Sequence, residues 1–205
     1  GGTVTLSGEN TYTGTTTISN GTLTYGGSNI LSTGAVTING GTLNIDSYTD
    51  TVGAVTLESG SITGTGTLTG SSYAVKSGAI GAILGGSSVG LTKSTGGTVT
   101  LSGENTYTGT TTISAGTLAL GADNVLSDET EVSVTGIFDL ADNSDTINVL
   151  SGAGSVLLGS GTLSVGGNNG SGSFSGVIAE SGGLTKLGSG TVTLSGENTY
   201  TGTTT

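Results

Sequence analysis

One stretch of sequence occurs three times in this chain of 205 residues, and it constrains the fold more than any other feature. GGTVTLSGENTYTGTTTIS stands at residues 1–19 and recurs without a change at residues 96–114. It returns as SGTVTLSGENTYTGTTT at residues 189–205. The sequence shared by all three copies, TVTLSGENTYTGTTT, is called the repeat motif and occupies residues 3–17, 98–112 and 191–205. Long internal repeats are typical of folds built from stacked, equivalent units.

The spacing of the copies divides the chain into cassettes. Leu6, Leu101 and Leu194 are equivalent, and they lie 95 and 93 residues apart. We therefore expect one continuous segment over residues 1–205, made of cassettes 1–95, 96–188 and 189–205, the last of them truncated. Since the chain begins and ends within the same text, we also expect its ends to continue into a longer repetitive chain or to stack on other copies.

Within the repeat motif, apolar Val4 and Leu6 alternate with Thr3 and Thr5, as in a β-strand with one buried face. Similar short strands recur between turns of Gly, Ser and Asn, and no segment has helical apolar spacing. A barrel, a sandwich or a solenoid would fit such strands, but only a solenoid requires a repeated cassette. Three strands per turn predict roughly eight or nine turns of roughly 24 residues. The residues expected inside are Val4, Leu6, Ile18, Leu23, Val99, Leu101, Ile113, Leu118, Val192 and Leu194, and those expected outside are Thr3, Thr5, Thr98 and Thr100.

The charge balance excludes several partners. The net charge is −11, with three lysines and no arginine or histidine. Such a chain is repelled by the phosphates of nucleic acids and by anionic membrane surfaces. No apolar run is long enough to span a bilayer, so we expect no membrane insertion of this segment. The absence of Cys excludes disulfides and thiolate metal sites.

Catalytic and metal-binding patterns are weak. Polysaccharide lyases with a β-helical fold typically use Arg or Lys as the base, whereas this sequence has no Arg or His and only three dispersed lysines. None of its carboxylates sits among several aromatic residues that could stack on a sugar. The one acidic cluster lies within residues 123–145 and fits no known calcium-binding loop. We interpret it as a solvated surface, with calcium binding as the alternative. No catalytic, cofactor or metal site is predicted.

The text GLTK followed by GTVTLSGENTYTGTTTISAGTL, at residues 90–118, closely resembles the autotransporter passenger-associated β-strand repeat. Residues 1–23 and 183–205 resemble it in part. That family occurs in secreted bacterial surface proteins whose passengers are right-handed parallel β-helices. The resemblance therefore implies this all-β fold and an extracellular or cell-surface location. The resemblance implies no catalytic residue. From the residues themselves we expect no helix, since helical spacing is absent, and no terminal caps.

The repeat motif contains Glu-Asn-Thr-Tyr-Thr-Gly, its most distinctive part. Asn and Gly favour a turn, and the Tyr is interpreted first as a packing residue that folds over the corner of a turn. The alternative is a row of exposed contact residues, one pair per cassette, that binds a repetitive ligand or a neighbouring rod. Its members would be Glu9, Tyr12, Glu104, Tyr107, Glu197 and Tyr200.

These observations favour a structural rod or fibre segment of a bacterial extracellular surface protein. The expected partners are further copies of the chain, end to end or side by side, and a surface or glycan ligand. An adhesin that binds a host, surface or glycan ligand through its outer face is the first alternative. A carbohydrate-active β-helix enzyme is the second.

Overall fold

The computed structural model describes residues 1–205 and shows an all-β chain without a helix. Every strand pairing is parallel, and successive segments of the chain stack as a β-solenoid of about ten turns. No helix long and apolar enough to cross a membrane is present. The predicted fold class is confirmed.

Each turn contributes to three faces, numbered in the order in which the chain visits them. Face 1 begins with β1 (Thr3–Leu6), face 2 begins near Asn10, and face 3 begins with β2 (Thr16–Ile18). Two longer strands, β4 (Val36–Asn44) and β6 (Val55–Thr63), run through faces 3 and 1. Face 1 consists of β1 (Thr3–Leu6), β3 (Thr22–Tyr25), parts of β4 (Val36–Asn44) and β6 (Val55–Thr63), β9 (Gly78–Ile80), β12 (Thr98–Leu101), β14 (Thr117–Leu120), β16 (Ile137–Asp139), β19 (Ser155–Leu157) and β22 (Val177–Ala179).

Faces 2 and 3 complete each turn. Face 3 consists of β2 (Thr16–Ile18), the other parts of β4 and β6, β8 (Tyr73–Val75), β11 (Leu91–Lys93), β13 (Thr111–Ile113), β15 (Glu131–Val134), β18 (Val149–Gly152), β21 (Gly172–Phe174) and β24 (Val192–Leu194). Face 2 holds β5 (Asp50–Thr51), β7 (Thr67–Thr69), β10 (Ile83–Gly85), β17 (Asp145–Ile147), β20 (Thr162–Val165) and β23 (Gly183–Lys186). Between β10 and β17, face 2 continues as irregular backbone through Asn105 and Val125.

Turns are shorter than the sequence predicts. Paired residues lie between 16 residues apart, as in Thr67 and Ile83, and 22 apart, as in Gly152 and Phe174. Most strands have only three or four residues, and the corners between them are short. The chain therefore makes about ten turns of roughly 20 residues instead of eight or nine of roughly 24, and stacking at about 4.8 Å per turn gives a rod about 48 Å long.

The interior is one continuous column of apolar side chains, 41 buried residues in all. Of the residues predicted inside, Ile18, Leu23, Val99, Leu101, Ile113 and Leu118 are buried. Leu6, Val192 and Leu194 are half-buried, and Val4 is 58% exposed. The predicted orientation is thus confirmed for the inner turns, whereas Val4, whose strand pairs with β3, is exposed. Thr3, Thr5 and Thr98 are exposed as expected, and Thr100 is half-buried.

Glycine makes the corner between faces 3 and 1 possible. Gly40 and Gly60 occupy this corner in successive turns with φ of 102° and 94°, a region that side chains disfavour. A Cβ on Gly60 would also lie 2.1 Å from the carbonyl oxygen of Gly41 in the turn before. Glycine at this position therefore permits both the bend and the close stacking of turns.

Candidate functional site

The tyrosine of the repeat motif has the same local contact in all three copies. Its hydroxyl hydrogen bonds the Oγ1 of the threonine four residues later. The oxygen–oxygen distances are 2.8 Å for Tyr12, 2.8 Å for Tyr107 and 2.6 Å for Tyr200. Each tyrosine thus fixes the corner that follows it, which is the packing role first inferred from the sequence.

The three tyrosines differ in exposure although their contacts agree. Tyr107 is completely buried, and its ring centroid lies 5.9 Å from that of Tyr73, which belongs to the turn of β7 and β8. Tyr12 is 41% exposed, and Tyr200 is half-buried. An exposed row of all three tyrosines is therefore not formed. Glu9, Glu104 and Glu197 are exposed, and of the predicted contact residues only these glutamates are accessible in every copy.

The third copy of the repeat motif lies on different faces from the first two. Leu101 pairs with Ile80 on face 1, whereas its equivalent Leu194 pairs with Phe174 on face 3. The first and second copies are separated by five turns, and the second and third by four turns and two further faces. Glu197 therefore lies at the corner between faces 3 and 1, away from the corner that Glu9 and Glu104 share. The structure does not bring the six predicted residues into one line.

The asparagine beside the tyrosine joins three successive turns. In the second copy, Asn105 Oδ1 accepts a hydrogen bond of 2.8 Å from the Leu84 amide in the preceding turn. Its Nδ2 donates to the carbonyl oxygens of Gly103, at 2.9 Å, and of Val125 in the following turn, at 3.0 Å. Asn105 is buried, so its side chain replaces strand pairing where the backbone of face 2 is irregular. Sequence analysis interpreted this asparagine only as a turn residue.

Two buried carboxylates form a second repeat that the sequence analysis missed. Asp50 and Asp145 lie 95 residues apart, which is the spacing of the first two repeat motifs, and both are buried on face 2. Asp50 accepts a hydrogen bond of 2.8 Å from the Leu31 amide. Asp145 accepts bonds from the amides of the equivalent Leu126 and its neighbour Val125 at 3.0 and 3.1 Å. The signal that could have identified them was their spacing.

Burial changes the acidity of Asp145. Desolvation raises the pKa of its carboxyl to about 6, although amide hydrogen bonds from Leu126, Thr146 and Val125 oppose the shift. The nearby charge of Asp128 raises it further. In the first cassette, the buried hydroxyl of Tyr25 lies close to Asp50 without a hydrogen bond of normal geometry, and burial raises its pKa. The carboxylates of Asp50 and Asp145 thus both bind backbone amides of a neighbouring turn.

The acidic residues between 123 and 142 are spread over the surface, and several of them bond to the chain's own backbone, whereas the last member of the predicted cluster, Asp145, is buried. The prediction of a solvated surface is therefore wrong for Asp145. Asp123 accepts a bond from the Ser144 amide, and Asp142 accepts bonds from the amide and hydroxyl of Ser160. A shallow concavity lies beside Asp139, Asp142 and Glu180. No group of three acidic residues converges closely enough to hold a metal ion.

A lysine also lies in the interior. Lys93 is fully buried on face 3, directly between Val75 and Ile113, because it stands two residues after the buried Leu91. Its Nζ donates to the carbonyl oxygens of Thr95 and, at 3.1 Å, of Ala115. Desolvation lowers the pKa of this amine. The equivalent Lys186 is half-buried and donates to the carbonyl oxygens of Leu187 and Gly188.

The family model of the passenger-associated-transport-repeat matches residues 1–24, 91–120 and 184–205. Each range contains one copy of the repeat motif, which confirms the resemblance found in the sequence. These three segments are therefore similar to a repeat of autotransporter passengers, and the match covers less than half of the chain. That repeat family belongs to secreted or cell-surface proteins and is not a family of enzymes. No curated protein and no solved structure matches the chain.

Proposed function

We propose that the chain is a rigid structural rod in a bacterial extracellular surface protein, with no catalytic activity of its own. The observation that carries this proposal is the continuity of the parallel pairing from the first turn to the last on faces 1 and 3. Each turn is held by the turns before and after it, as in other solenoids. Such a rod extends a surface protein by a fixed distance per turn.

The side chains that depart from the regular pattern support the same role. Asn105, Asp145, Lys93 and the motif tyrosines direct their polar groups to neighbouring backbone or to a motif threonine. Buried polar groups of this kind fix the register between turns because an alternative register would leave them unpaired. Because these polar groups are bonded to the chain itself, they do not form a cluster of free reactive groups such as an enzyme would use.

An adhesin that binds a surface or glycan ligand is the second candidate, and the exposed glutamates favour it. Glu9 and Glu104 lie at the same corner of the solenoid, five turns apart. Replacing both with Gln leaves adhesion of the displaying cell unchanged if the chain is only a rod. Loss of adhesion with an unchanged fold would favour the adhesin.

The rod itself is tested by changing its length. Duplicating residues 98–190 adds 93 residues, or four turns and two faces by the observed stacking. We expect small-angle X-ray scattering to show a particle about 22 Å longer with an unchanged cross-section. An epitope at the outer end of the parent protein should move away from the cell by the same distance. A compact particle of greater width would contradict the proposal.

A further inference from the structure

The outer surface of face 1 changes in character along the rod. In β3, β4 and β6 the outward residues of this face are all polar, namely Thr22, Thr24, Thr42, Asn44, Ser61 and Thr63. In β16, β19 and β22 four of the six outward residues are apolar, namely Ile137, Leu157, Val177 and Ala179. The residues between them, Phe138, Val156 and Ile178, point inward and are buried. The interior is therefore filled without the outward apolar residues.

The larger of these outward residues form a strip that crosses successive turns. Ile137, Leu157 and Val177, called the apolar strip, are diagonal neighbours in the sheet, close enough for one ligand to contact all three. Val177 is 38% exposed, and Ile137 and Leu157 are half-buried. A further turn stacks on β22, where the Thr199 amide donates to the carbonyl oxygen of Ile178. The apolar strip thus lies on turns that are paired on both sides.

Three carboxylates border the apolar strip on the side of face 2. Asp139 lies beside Ile137 in β16, and together with Asp142 and Glu180 it lines a concavity of about 360 Å³. Each carboxylate uses one oxygen to accept backbone amide bonds, from Ala141, Ser160 and Gly159 respectively. The second oxygen of each is left to accept a bond from another molecule. The surface therefore combines an apolar row with a parallel anionic row.

The charges of the chain indicate what kind of partner fits this surface. A second copy offers no free cation, because Lys76 pairs with Glu58, Lys93 is buried, and Lys186 donates to backbone carbonyl oxygens. With a net charge of −11, two copies would also repel each other. A complementary partner instead carries basic side chains next to apolar ones.

The spacing of the apolar strip matches an α-helix that lies along the rod. Turns stacked at about 4.8 Å place Ile137 and Val177 about 10 Å apart along the rod axis. Two turns of an α-helix rise about 10.8 Å, so side chains at i, i+4 and i+7 of a helix follow the strip. An extended segment presents a single row of side chains to a surface, so it would cover the apolar row or the anionic row but not both.

We propose that the outer surface of face 1 over β16, β19 and β22 binds a cationic amphipathic α-helix of another protein, aligned with the rod axis. The apolar side of the helix covers the apolar strip, and its basic residues pair with the three carboxylates. Burial of exposed apolar surface supplies most of the affinity, while the charges orient the helix and accelerate its association. Because the contact is small, binding is weak and reversible. This inference adds a partner to the proposed rod.

The test is fluorescence anisotropy with a labelled synthetic peptide of about 18 residues, made of Leu and Lys with Leu along one helix face. A peptide of the same composition in scrambled order keeps the charge but loses the apolar stripe. We expect the amphipathic peptide to bind roughly tenfold more tightly than the scrambled one. Since the solenoid has no helix, a gain of helical circular dichroism on mixing reports folding of the bound peptide.

Variants of the apolar strip locate the contact. Ile137→Thr combined with Leu157→Thr introduces the residue type that face 1 already has at outward positions of β3 and β4, so the fold should persist. Binding of the amphipathic peptide should weaken roughly tenfold. Leu187→Thr removes another exposed apolar side chain, at the end of face 2, and is the matched control that should bind as the wild type does.

Variants of the carboxylates test the anionic row. Asp142→Asn combined with Glu180→Gln removes two charges but keeps an oxygen that can accept the backbone amide bonds. We expect roughly fivefold weaker binding and a smaller dependence on salt. Asp128→Asn combined with Glu129→Gln removes two charges from the exposed corner between faces 2 and 3 and should weaken binding less.

The outcomes separate a specific contact from general attraction to an acidic rod. Equal binding of the two peptides overturns the inference, as does unchanged binding by the variant of the apolar strip. Equal weakening by the two charge variants, or binding without a gain of helical signal, also contradicts it. None of these results affects the proposed rod, whose length is measured by scattering from the unbound chain.

Discussion

The first and second repeat motifs have the same sequence but different surroundings. Leu101, Asn105 and Tyr107 are completely or almost completely buried, whereas their equivalents Leu6 and Asn10 are half-buried and Tyr12 is exposed. Local hydrogen bonds agree, including the tyrosine–threonine contact and the bond of the asparagine to the following turn. Identical sequences thus adopt one local structure, while the preceding turn determines burial. The contribution of a given motif residue to the free energy of unfolding should therefore depend on the turn in which it lies.

Truncation of the motif leucines should show the largest difference. Leu101→Ala leaves a cavity in the column and is expected to lower the free energy of unfolding by about 2–5 kcal/mol. Leu6→Ala removes a side chain that is already half exposed, so we expect about half that loss or less. Urea denaturation of both variants measures the difference. Equal losses would mean that the first turn is as well packed as the inner ones.

The second comparison concerns the buried carboxylates of the first two cassettes. The folded pKa of Asp145, about 6, lies above its ordinary value of 3.8. Its contribution to stability is therefore fully present below pH 3.8 and is lost as pH rises through about 6. The free energy of unfolding of Asp145→Asn minus that of the wild type should therefore be larger above pH 6 than at pH 4. We expect this difference to increase by about 2–3 kcal/mol between the two pH values.

Thermal unfolding between pH 4 and pH 8 measures this change, with Asp128→Asn as the control for an exposed neighbour. Asp50→Asn tests the equivalent position in the first cassette. A difference between Asp145→Asn and wild type that stays constant over this pH range would show that the amide hydrogen bonds outweigh desolvation.

Removing the side chain of the motif asparagine should cause the next largest loss of stability. Asn105→Ala leaves the Leu84 amide and the Val125 carbonyl of neighbouring turns without this partner in a buried region. We expect a loss of about 1–3 kcal/mol. Asn10→Ala removes bonds that lie partly in solvent, so a loss below about 1 kcal/mol is expected. Hydrogen exchange at the Leu84 amide provides a direct readout, because its protection should fall only in Asn105→Ala.

The sequence predicted the fold because the fold depends on local periodicity and repetition. The alternation of Val99 and Leu101 with threonine correctly placed these two residues inside. It did not predict the turn length, because corner length depends on how closely turns stack. Nor did it predict the rotation of the third motif, which results from longer turns between the second and third motifs, up to 22 residues between Val156 and Ile178.

The candidate site was less predictable because exposure depends on neighbouring turns. The sequence identified Tyr107 as a corner residue but could not show that Tyr73, 34 residues earlier in the chain, lies against it. Lys93 illustrates the same limit, since a charged residue is usually expected at the surface. Its position two residues after Leu91 was the signal that it points inward. For Asp50 and Asp145, the only signal in the sequence was their separation, which equals that of the first two repeat motifs. The residues around them differ between the two cassettes.

Removing the tyrosine hydroxyl should cause the smallest loss of stability. It compares one hydrogen bond in a buried and in an exposed copy of the repeat motif. Tyr107→Phe removes a bond to Thr111 in a region without solvent, and Thr111 is itself completely buried. Its free Oγ1 then lacks this partner, so we expect a loss of about 1 kcal/mol. Tyr12→Phe removes a bond of the same 2.8 Å length, but water can replace it at Thr16, and the expected loss is a few tenths of a kcal/mol. Since both variants remove the same atom from the same sequence, urea denaturation of the pair measures how much a preceding turn adds to one hydrogen bond. Losses of equal size would show that burial by that turn does not strengthen the contact.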